Sequence, residues 1–434
     1  MLSDDAHVVR ACGELNVDLT VAYGSPHRDW GMMVLPPGTR SVFVEDSRDL
    51  ESVVLGLYRA GLDPAGFDAI YSTDEGGVFT AAALGSAFAV PSIPVPVAAL
   101  FRDKTLAKAT LRKAGIDTAD FITIEDLHAV AEDYSMPFAK AVLKPVAGGA
   151  TLNATAVRSD AELQAAVVRS REDRRTRAFI LEEFISGDEW HVDGFVFEGK
   201  LEFISVGGYR KTCLDTISSN EWLHTFVFDP KTDADVYGRV TPLAEQILQT
   251  LGLISGVFHM ELFHDPQTDR LVFGECAARR GGGLIEEEVF HHFGVSLAAA
   301  AVQCAVGTKP EFTVELRPGT VGQTYLPYTP GILLGTPSAE ELTALPNVEF
   351  ALIEWPVGFN MNPVNSTIMK IGGVLLAADS REELFRRADE VVAWFAERTV
   401  IVPPKVTPRE LREWYARATA DGGRPHSSWK RKAL

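Results

Sequence analysis

Short apolar, β-branched runs alternate with helical patterns at the start of the chain: Leu19 to Tyr23, Ser41 to Val44 and Ala69 to Tyr71, then an Ala-rich helix from Gly77 to Ala89. This alternation predicts a parallel sheet with flanking helices over roughly the first 95 residues. The segment Val90-Pro91-Ser92-Ile93-Pro94-Val95-Pro96 reads as a linker, because its prolines withhold backbone donors and favour extended structure.

After Asp103 an amphipathic pattern predicts a helix through Lys113, and after Pro137 a strand over Lys140 to Leu143 runs into Lys144-Pro145-Val146-Ala147-Gly148-Gly149-Ala150-Thr151. Ser159 with Glu162 forms a capping box before the next helix, and Phe179 to Ile185 is strand-like. Strand, glycine loop, strand, helix and strand in close succession predict a small α+β unit able to move as a lid. Helices are expected over Val240 to Leu251 and Val295 to Val306. Capping boxes at Ser338 with Glu341, Ser380 with Glu383, and Thr407 with Glu410, the last helped by Pro408, mark helix starts in the last third. Strands over Thr320 to Leu326, Phe350 to Trp355 and Ile368 to Leu376 lie between them, so this region is α+β.

The runs Val257 to Phe263 and Arg270 to Glu275 flank a cluster of turn formers, His264 to Asp269, and predict a β-hairpin. A register centred near Thr268 sets Glu261 opposite Glu275. Like charges directly across two strands destabilise a sheet, so the pair invites a cation, and two carboxylates with few other ligands suit Mg²⁺ holding nucleotide phosphates. Arg279 and Gly281-Gly282-Gly283 follow at once; an arginine supplies a fixed positive fork, and consecutive glycines let backbone amides approach an anion. The plainer alternative is a solvated edge hairpin with a Gly-rich turn.

A chain of 434 residues predicts two to four domains. Net charge of -18 and a pI near 5.0 argue against a nucleic-acid binder, whose footprint would be a basic face; only the tail Lys430-Arg431-Lys432 runs the other way. Cys12, Cys213, Cys276 and Cys304 lack CxxC spacing, so neither a zinc site nor a disulfide framework is indicated. The start MLSDDAHVVR lacks the order of a signal peptide, and no long uninterrupted apolar run appears, so a soluble cytoplasmic protein is expected.

Phosphates need cations, and Lys144, at the end of an apolar strand before Gly148 and Gly149, can reach them while the loop offers amides. The loop is not a Walker A motif, since GxxxxGK[ST] is absent. Arg102-Asp103-Lys104, then LKPVAGGAT, LEEFISGDEW, HMELF and GECAAR follow in one order, and this series resembles the ATP-grasp superfamily from about Gly66 to Gly307. The resemblance implies an ATP-grasp fold, α/β and α+β, with a Rossmann-like N-terminal domain, a small mobile lid and a C-terminal α+β domain. It divides the chain into an N-terminal α/β domain at 1–97, a helical linker region at 98–135, a lid at 136–206, a core with the metal site at 207–310, and an α+β region at 311–434.

The resemblance also implies roles. Lys104 and Lys144 would bind the α and β phosphates, and Gly148, Gly149 and Thr151 form the mobile loop over them. Glu182, with the backbone near Glu183 and Ile185, would face the adenine edge, and Glu189 would hold ribose hydroxyls. Glu261 and Glu275 would be the carboxylates for Mg²⁺ or Mn²⁺, and Arg279 the catalytic arginine near the transferring phosphoryl group. Two positions depart from the pattern: Ala277 stands where an asparagine is usual, removing one ligand, and Asn153 stands where the loop commonly has glycine. Asn tolerates left-handed backbone angles better than most residues.

His259 alternates onto the face of Glu261 and is read either as a neighbour of metal or substrate or as a structural histidine. Arg210 and Lys211 are read as a third phosphate cation or as a solvated loop, and Trp190, Trp222 and Trp355 as packing residues. No Ser/His/Asp or Cys/His set is supported by spacing, which suits phosphoryl transfer, where positioning and charge stabilisation dominate. GxxHxE at Gly256 to Glu261 and RRGGG at Arg279 to Gly283 most resemble carboxylate-amine ligases that join L-amino acids into dipeptides. The implied reaction is formation of an acyl phosphate and ADP, then attack of an amine. The alternatives are a carboxyphosphate-forming carboxylase or another such ligation, and an ATP-binding regulatory protein. The expected substrates are a small carboxylate and an amine, both bound near Gly281 to Glu288 and C-terminal loops such as Trp355 to Asn365. A homodimer is the commonest default for a soluble oligomer.

Overall fold

The computed structural model describes residues 1–2, 5–24, 35, 39–130, 134–171, 176–219, 221–361, 366–367 and 370–402. The Thr407 capping box, the Lys430 to Lys432 tail, Asn365 and the start of the expected strand at Ile368 lie outside the described residues. The chain forms two compact units, one of residues 1–208 with 228–316, the other of 209–227 with 317–434.

In the first unit, Asp5 caps α1 (Ala6–Glu14), and β1 (Thr20–Tyr23) pairs in parallel with β2 (Arg40–Phe43). Next come α2 (Leu50–Arg59) and α3 (Val78–Phe88). The run Ala69 to Tyr71 is not a strand: Leu2 N donates to Tyr71 O, and single parallel bridges join Leu2 to Ser72 and to Ala22. Ala22, Val42, Val53, Leu57, Ile70, Ala81 and Leu84 form the core of this region. The expected linker runs into a helix at its last two residues, since α4 (Val95–Leu100) starts after Pro94 with Pro96 in its first turn, where a missing N–H costs nothing.

Asp103 caps α5 (Lys104–Lys113), accepting from the amides of Thr105 and Leu106. The 98–135 segment is not purely helical: β3 (Phe121–Ile124) joins a four-stranded antiparallel sheet with β4 (Ala141–Pro145), β5 (Thr155–Val157) and β6 (Phe179–Glu183), in the order β3-β6-β4-β5. β3 is an edge strand that buries only Ile124, so it leaves little hydrophobic alternation to read. Behind the sheet, α6 (Asp160–Ser170) packs Leu163, Ala166 and Val167 against Leu143, Phe179 and Leu181. Its cap is half a box: Ser159 accepts from Glu162 N, but Glu162 reaches back to Arg158 N.

β7 (Asp188–Phe197) and β8 (Lys200–Tyr209) were expected in the lid, which the sequence extended to 206, but they belong to the core sheet. α7 (Cys213–Ser218) and β9 (Thr225–Val227) fall in the second unit. The chain then returns to the first unit with α8 (Ala234–Leu251), β10 (Gly256–Asp265), β11 (Arg270–Ala277), α9 (Ile285–Phe293) and α10 (Leu297–Ala305). β10 pairs with β7 from Gly256 opposite Val196 to His264 opposite Asp188, giving the order β11-β10-β7-β8. The lid sheet therefore ends at β6, because pairing between strands distant in sequence decides the boundary.

In the second unit, β12 (Thr320–Leu326), β14 (Val348–Ile353) and β16 (Gly372–Ala378) form an antiparallel sheet in the order β12-β16-β14. β13 (Gly331–Gly335) pairs with β15 (Asn360–Met361) and β17 (Val400–Val402). Ser338 and Glu341 complete a capping box on α11 (Ala339–Thr343), and Ser380 caps α12 (Arg381–Arg398). Residues 209–227 belong here and not to the core expected over 207–310, and Gln323 N donates to Thr225 Oγ1.

Gly194 in β7 has no room for a side chain: a Cβ would lie 2.2 Å from Phe203 O. Gly194→Ala should lower stability by about 1–3 kcal/mol through overpacking, read as a lower Tm or denaturation midpoint.

Candidate active site

The site is laid out on one face of the core sheet. In the β10–β11 hairpin Glu261 stands opposite Glu275, the register expected from the turn, and on the other side of β10 it faces His191 of β7. One row further along, His259 lies between Ala277 and Asp193. The hairpin register shifts just past Glu261, where Leu262 pairs with Phe273 and Gly274 is the extra residue of a bulge. A Cβ on Gly274 would lie 3.0 Å from Glu261 O, so the bulge that re-aims Glu275 needs a residue without one.

Lysines answer the carboxylates. Lys104, at the first turn of α5, places Nζ 2.9 Å from Glu275 Oε2 and donates to Gly148 O at 2.6 Å, so one ammonium links the glycine loop to the hairpin. Burial would raise the Glu275 pKa, but Lys104, and then Lys144, override it and hold the carboxyl down at about 2. Lys144, at the end of β4, pairs with Glu182 of β6. Lys108, one turn beyond Lys104, approaches the same carboxylate at 3.3 Å and donates to Phe273 O at 3.1 Å. Burial opposes ionisation of Glu182, yet Lys108 and Lys144 keep it below the usual carboxylate range. Lys108 is almost wholly enclosed, and that burial, resisted by Glu182, brings its ammonium down to about 8.

Arg279 also has a buried partner. Its guanidinium donates to Glu75 Oε2 at 2.5 Å, and a Cβ on Gly149 would come 3.0 Å from that same oxygen. Glu75 thus sits between the arginine and the glycine loop. Arg280, next in sequence, pairs with Asp5 and with Glu286 at 3.2 Å, pinning the glycine run. In the loop, Ala150, Thr151 and Asn153 all take left-handed angles, with φ of 52°, 57° and 59°. Asn153 meets the expectation made for it, and a β-branched residue such as Thr151 in this region marks stored strain.

Asp193 is fully buried between two imidazoles, with His191 Nδ1 and His259 Nδ1 each 2.8 Å from its oxygens. Despite burial, Asp193, and then Glu261, push the His259 pKa up to about 10. A Cβ on Gly281 would fall 2.8 Å from Asp193 Oδ1 and 2.9 Å from His259 Nδ1, which gives the first glycine of the run a packing reason.

Lys104, Lys144, Glu182, Gly148, Gly149, Glu75, Arg279, Glu261 and Glu275 all lie in the first unit, tied by these contacts and pairings. The Glu182 carboxylate is taken up by Lys144 and Lys108, and Glu183 N already donates to Asp120 O at 2.7 Å. The exposed Glu183 side chain and half-buried Ile185 mark the strand end. Glu189 is buried on the same face of β7 as His191 and Asp193, and Thr151 Oγ1 donates to Ala150 O. Arg210 and Lys211 pair with Asp389 and Glu221 in the second unit, and Trp355 there stacks on Phe359. Trp190 is buried against Phe228 and His264.

Sequence reasoning missed Lys108, Glu75, Asp193 and His191. Lys108 follows Lys104 at i+4 on one helix face, and Asp193 shares a strand face with Glu189 at even spacing, so both carried a readable signal. Glu75 carried none beyond its place after a strand-like run.

Two carboxylates paired across strands, with a buried lysine on one of them, form a hard-oxygen donor set that fits a Mg²⁺ ion beside phosphates. Among the described residues no helix is long and apolar enough to cross a membrane.

Because the folded Lys108 pKa lies near 8 and the ordinary value is 10.5, the unfolded chain holds more protons between these values, and stability rises with pH there. Denaturant melts should show wild type gaining on Lys108→Met as pH rises from about 8 to 10.5, and the same gap at all pH would contradict the assignment. Gly281→Ala should cost about 1–3 kcal/mol by pushing on Asp193 and His259, read by thermal melting.

Residues 137–288 match the ATP-grasp domain family. The L-arginine-specific L-amino acid ligase of Bacillus subtilis is 26% identical over 315 residues, 70% of this chain and 73% of that protein. A D-alanine–D-alanine ligase of Anaplasma marginale is 31% identical over 156 residues, 35% of this chain and 44% of that one. The crystal structure of an L-amino acid ligase from Bacillus licheniformis superposes with a TM-score of 0.73 at 20% identity, covering 93% of this chain and 98% of that one, and so shares the fold. With the site geometry and these likenesses together, residues 137–288 match the ATP-grasp domain, and the chain shares the ATP-grasp fold and resembles the carboxylate-amine ligases of the L-amino acid ligase type.

Proposed function

We propose that this ATP-dependent carbon-nitrogen ligase joins two amino acids, or a small acid and an amino acid, through an acyl phosphate, releasing ADP and phosphate in the cytoplasm. The observation that carries the reading is Glu261 paired with Glu275 across the hairpin, with Lys104 bonded both to Glu275 and to the glycine loop. One ammonium then senses phosphate, loop and metal carboxylate together.

Lys104 and Lys144 hold the α and β phosphates, and the loop amides from Gly148 to Thr151 close over them. Glu261 and Glu275 would hold a divalent cation, which when bound would supply charge neutralisation at the phosphoryl oxygens. An oxygen of the substrate carboxylate attacks the γ-phosphorus, the bond to the bridging oxygen breaks, and ADP departs. The amine then attacks the acyl carbon, the tetrahedral oxyanion collapses, and phosphate leaves. Arg279, oriented by Glu75, stabilises charge on the phosphoryl group and on that oxyanion, the kind of preorganised contact that costs no rearrangement during reaction. The strained loop and the small sheet of β3 to β6 exclude water, which would otherwise hydrolyse the acyl phosphate.

Incubation with Mg²⁺-ATP and pools of L-amino acids should give ADP, phosphate and a product lighter by one water than the sum of two pool members, read by mass. Arg279→Ala should lower kcat by about 10²–10³ with folding intact by circular dichroism, and Glu275→Ala should abolish turnover. AMP with pyrophosphate would reject the acyl phosphate, unchanged turnover in both variants would reject the site, and dependence on bicarbonate would favour the carboxylase reading.

A further inference from the structure

Three neighbouring strands set two rows of side chains on one face of the core sheet: Glu275, Glu261 and His191 in one, Ala277, His259 and Asp193 in the next. Ala277 offers no donor at the position where the superfamily pattern has its third, asparagine ligand. The side chain directly across from that methyl group is the imidazole of His259.

We infer that His259 Nε2 is the third protein ligand of the divalent cation at Glu261 and Glu275, with Asp193 the positioning residue that holds the ring. The inference rests on reading those two carboxylates as the cation site. Its geometry begins at Nδ1, 2.8 Å from Asp193 Oδ1, which assigns a donor to that nitrogen and directs Nε2 to the other side. A metal-bound histidine commonly donates its second nitrogen to a carboxylate in this way. Nε2 lies 3.8 Å from Glu261 Oε1, too far for a hydrogen bond. It is nonetheless closer than two metal–ligand bonds of about 2.1 Å laid end to end, so one ion reaches both atoms, displacing to solvent the proton that Nε2 carries in the empty site.

The ring is also held. Asp193 is anchored from behind by His191 Nδ1 at 2.8 Å, and Gly281 packs against both Asp193 and His259 so tightly that a methyl group would not fit. Glu275 pairs with Lys104 here and stands out of one ion's reach of Glu261 and His259, so the three-ligand set forms when a phosphate takes up that ammonium and frees the carboxylate. Adding an imidazole to two carboxylates favours Mn²⁺ over Mg²⁺, because nitrogen donors raise affinity for the transition metals more than for Mg²⁺.

The test is three-pulse electron spin-echo modulation on the full chain with Mn²⁺ and a non-hydrolysable ATP analogue. Imidazole nitrogen modulation is expected in wild type and absent in His259→Ala, with Mn²⁺ bound about tenfold more weakly and Mg²⁺ affected less. His259→Asn keeps a donor toward Asp193 and serves if the alanine variant does not fold; it should lose the nitrogen signal likewise. Mn²⁺ binding that depends on Glu261, tested with Glu261→Gln, yet shows no nitrogen modulation would overturn the histidine ligand alone. Modulation persisting in the His259 variants would do the same. Mn²⁺ binding that survives Glu261→Gln would remove the cation site itself, and this inference with it.

Discussion

Glu261 and Glu275 repel each other across an antiparallel pair, and much of the surrounding structure answers that repulsion. Lys104 is placed against Glu275 by the first turn of α5, whose start is fixed by the Asp103 cap and by Lys104 N donating to Val146 O. Lys144 and Lys108 share Glu182 while Lys104 takes Glu275, so each of three buried ammonium groups has an anion. Such a concentration of cations under a strained glycine loop is costly in an empty fold and favourable around a polyphosphate. The Gly274 bulge brings Glu275 opposite Glu261 in register, and a Cβ there would press on Glu261 O at 3.0 Å.

A second layer of paired charges fixes direction. Glu75 aims Arg279, Asp5 and Glu286 hold Arg280, and Asp193 locks His259. None of these carboxylates was picked out by motif, yet each decides where a chemically active neighbour points. Catalytic groups held within small tolerances by such partners are what phosphoryl transfer requires, since it is mostly positioning and electrostatics.

The hairpin and the opposition of Glu261 and Glu275 were legible from the turn formers and two alternating runs, although the Gly274 bulge that completes that opposition was not, and the caps at Ser338 and Ser380 were legible from local pattern. What escaped was long-range pairing. β3 joins β6 across more than fifty residues, and β7 pairs with β10 instead of staying with the lid, so boundaries drawn at 135 and 206 moved. Glu75 reaches Arg279 across a separation of 204 residues, a contact no local pattern announces. Ala69 to Tyr71 has strand composition but forms no ladder among the described residues, and composition cannot report pairing.

The central claim, phosphorylation of a substrate carboxylate at this site, is tested most directly by oxygen transfer. Amino-acid pools carrying ¹⁸O in their carboxylates, turned over with unlabelled ATP, should pass one ¹⁸O into the released phosphate. Phosphate free of label during product formation, or label found in AMP, would contradict the account.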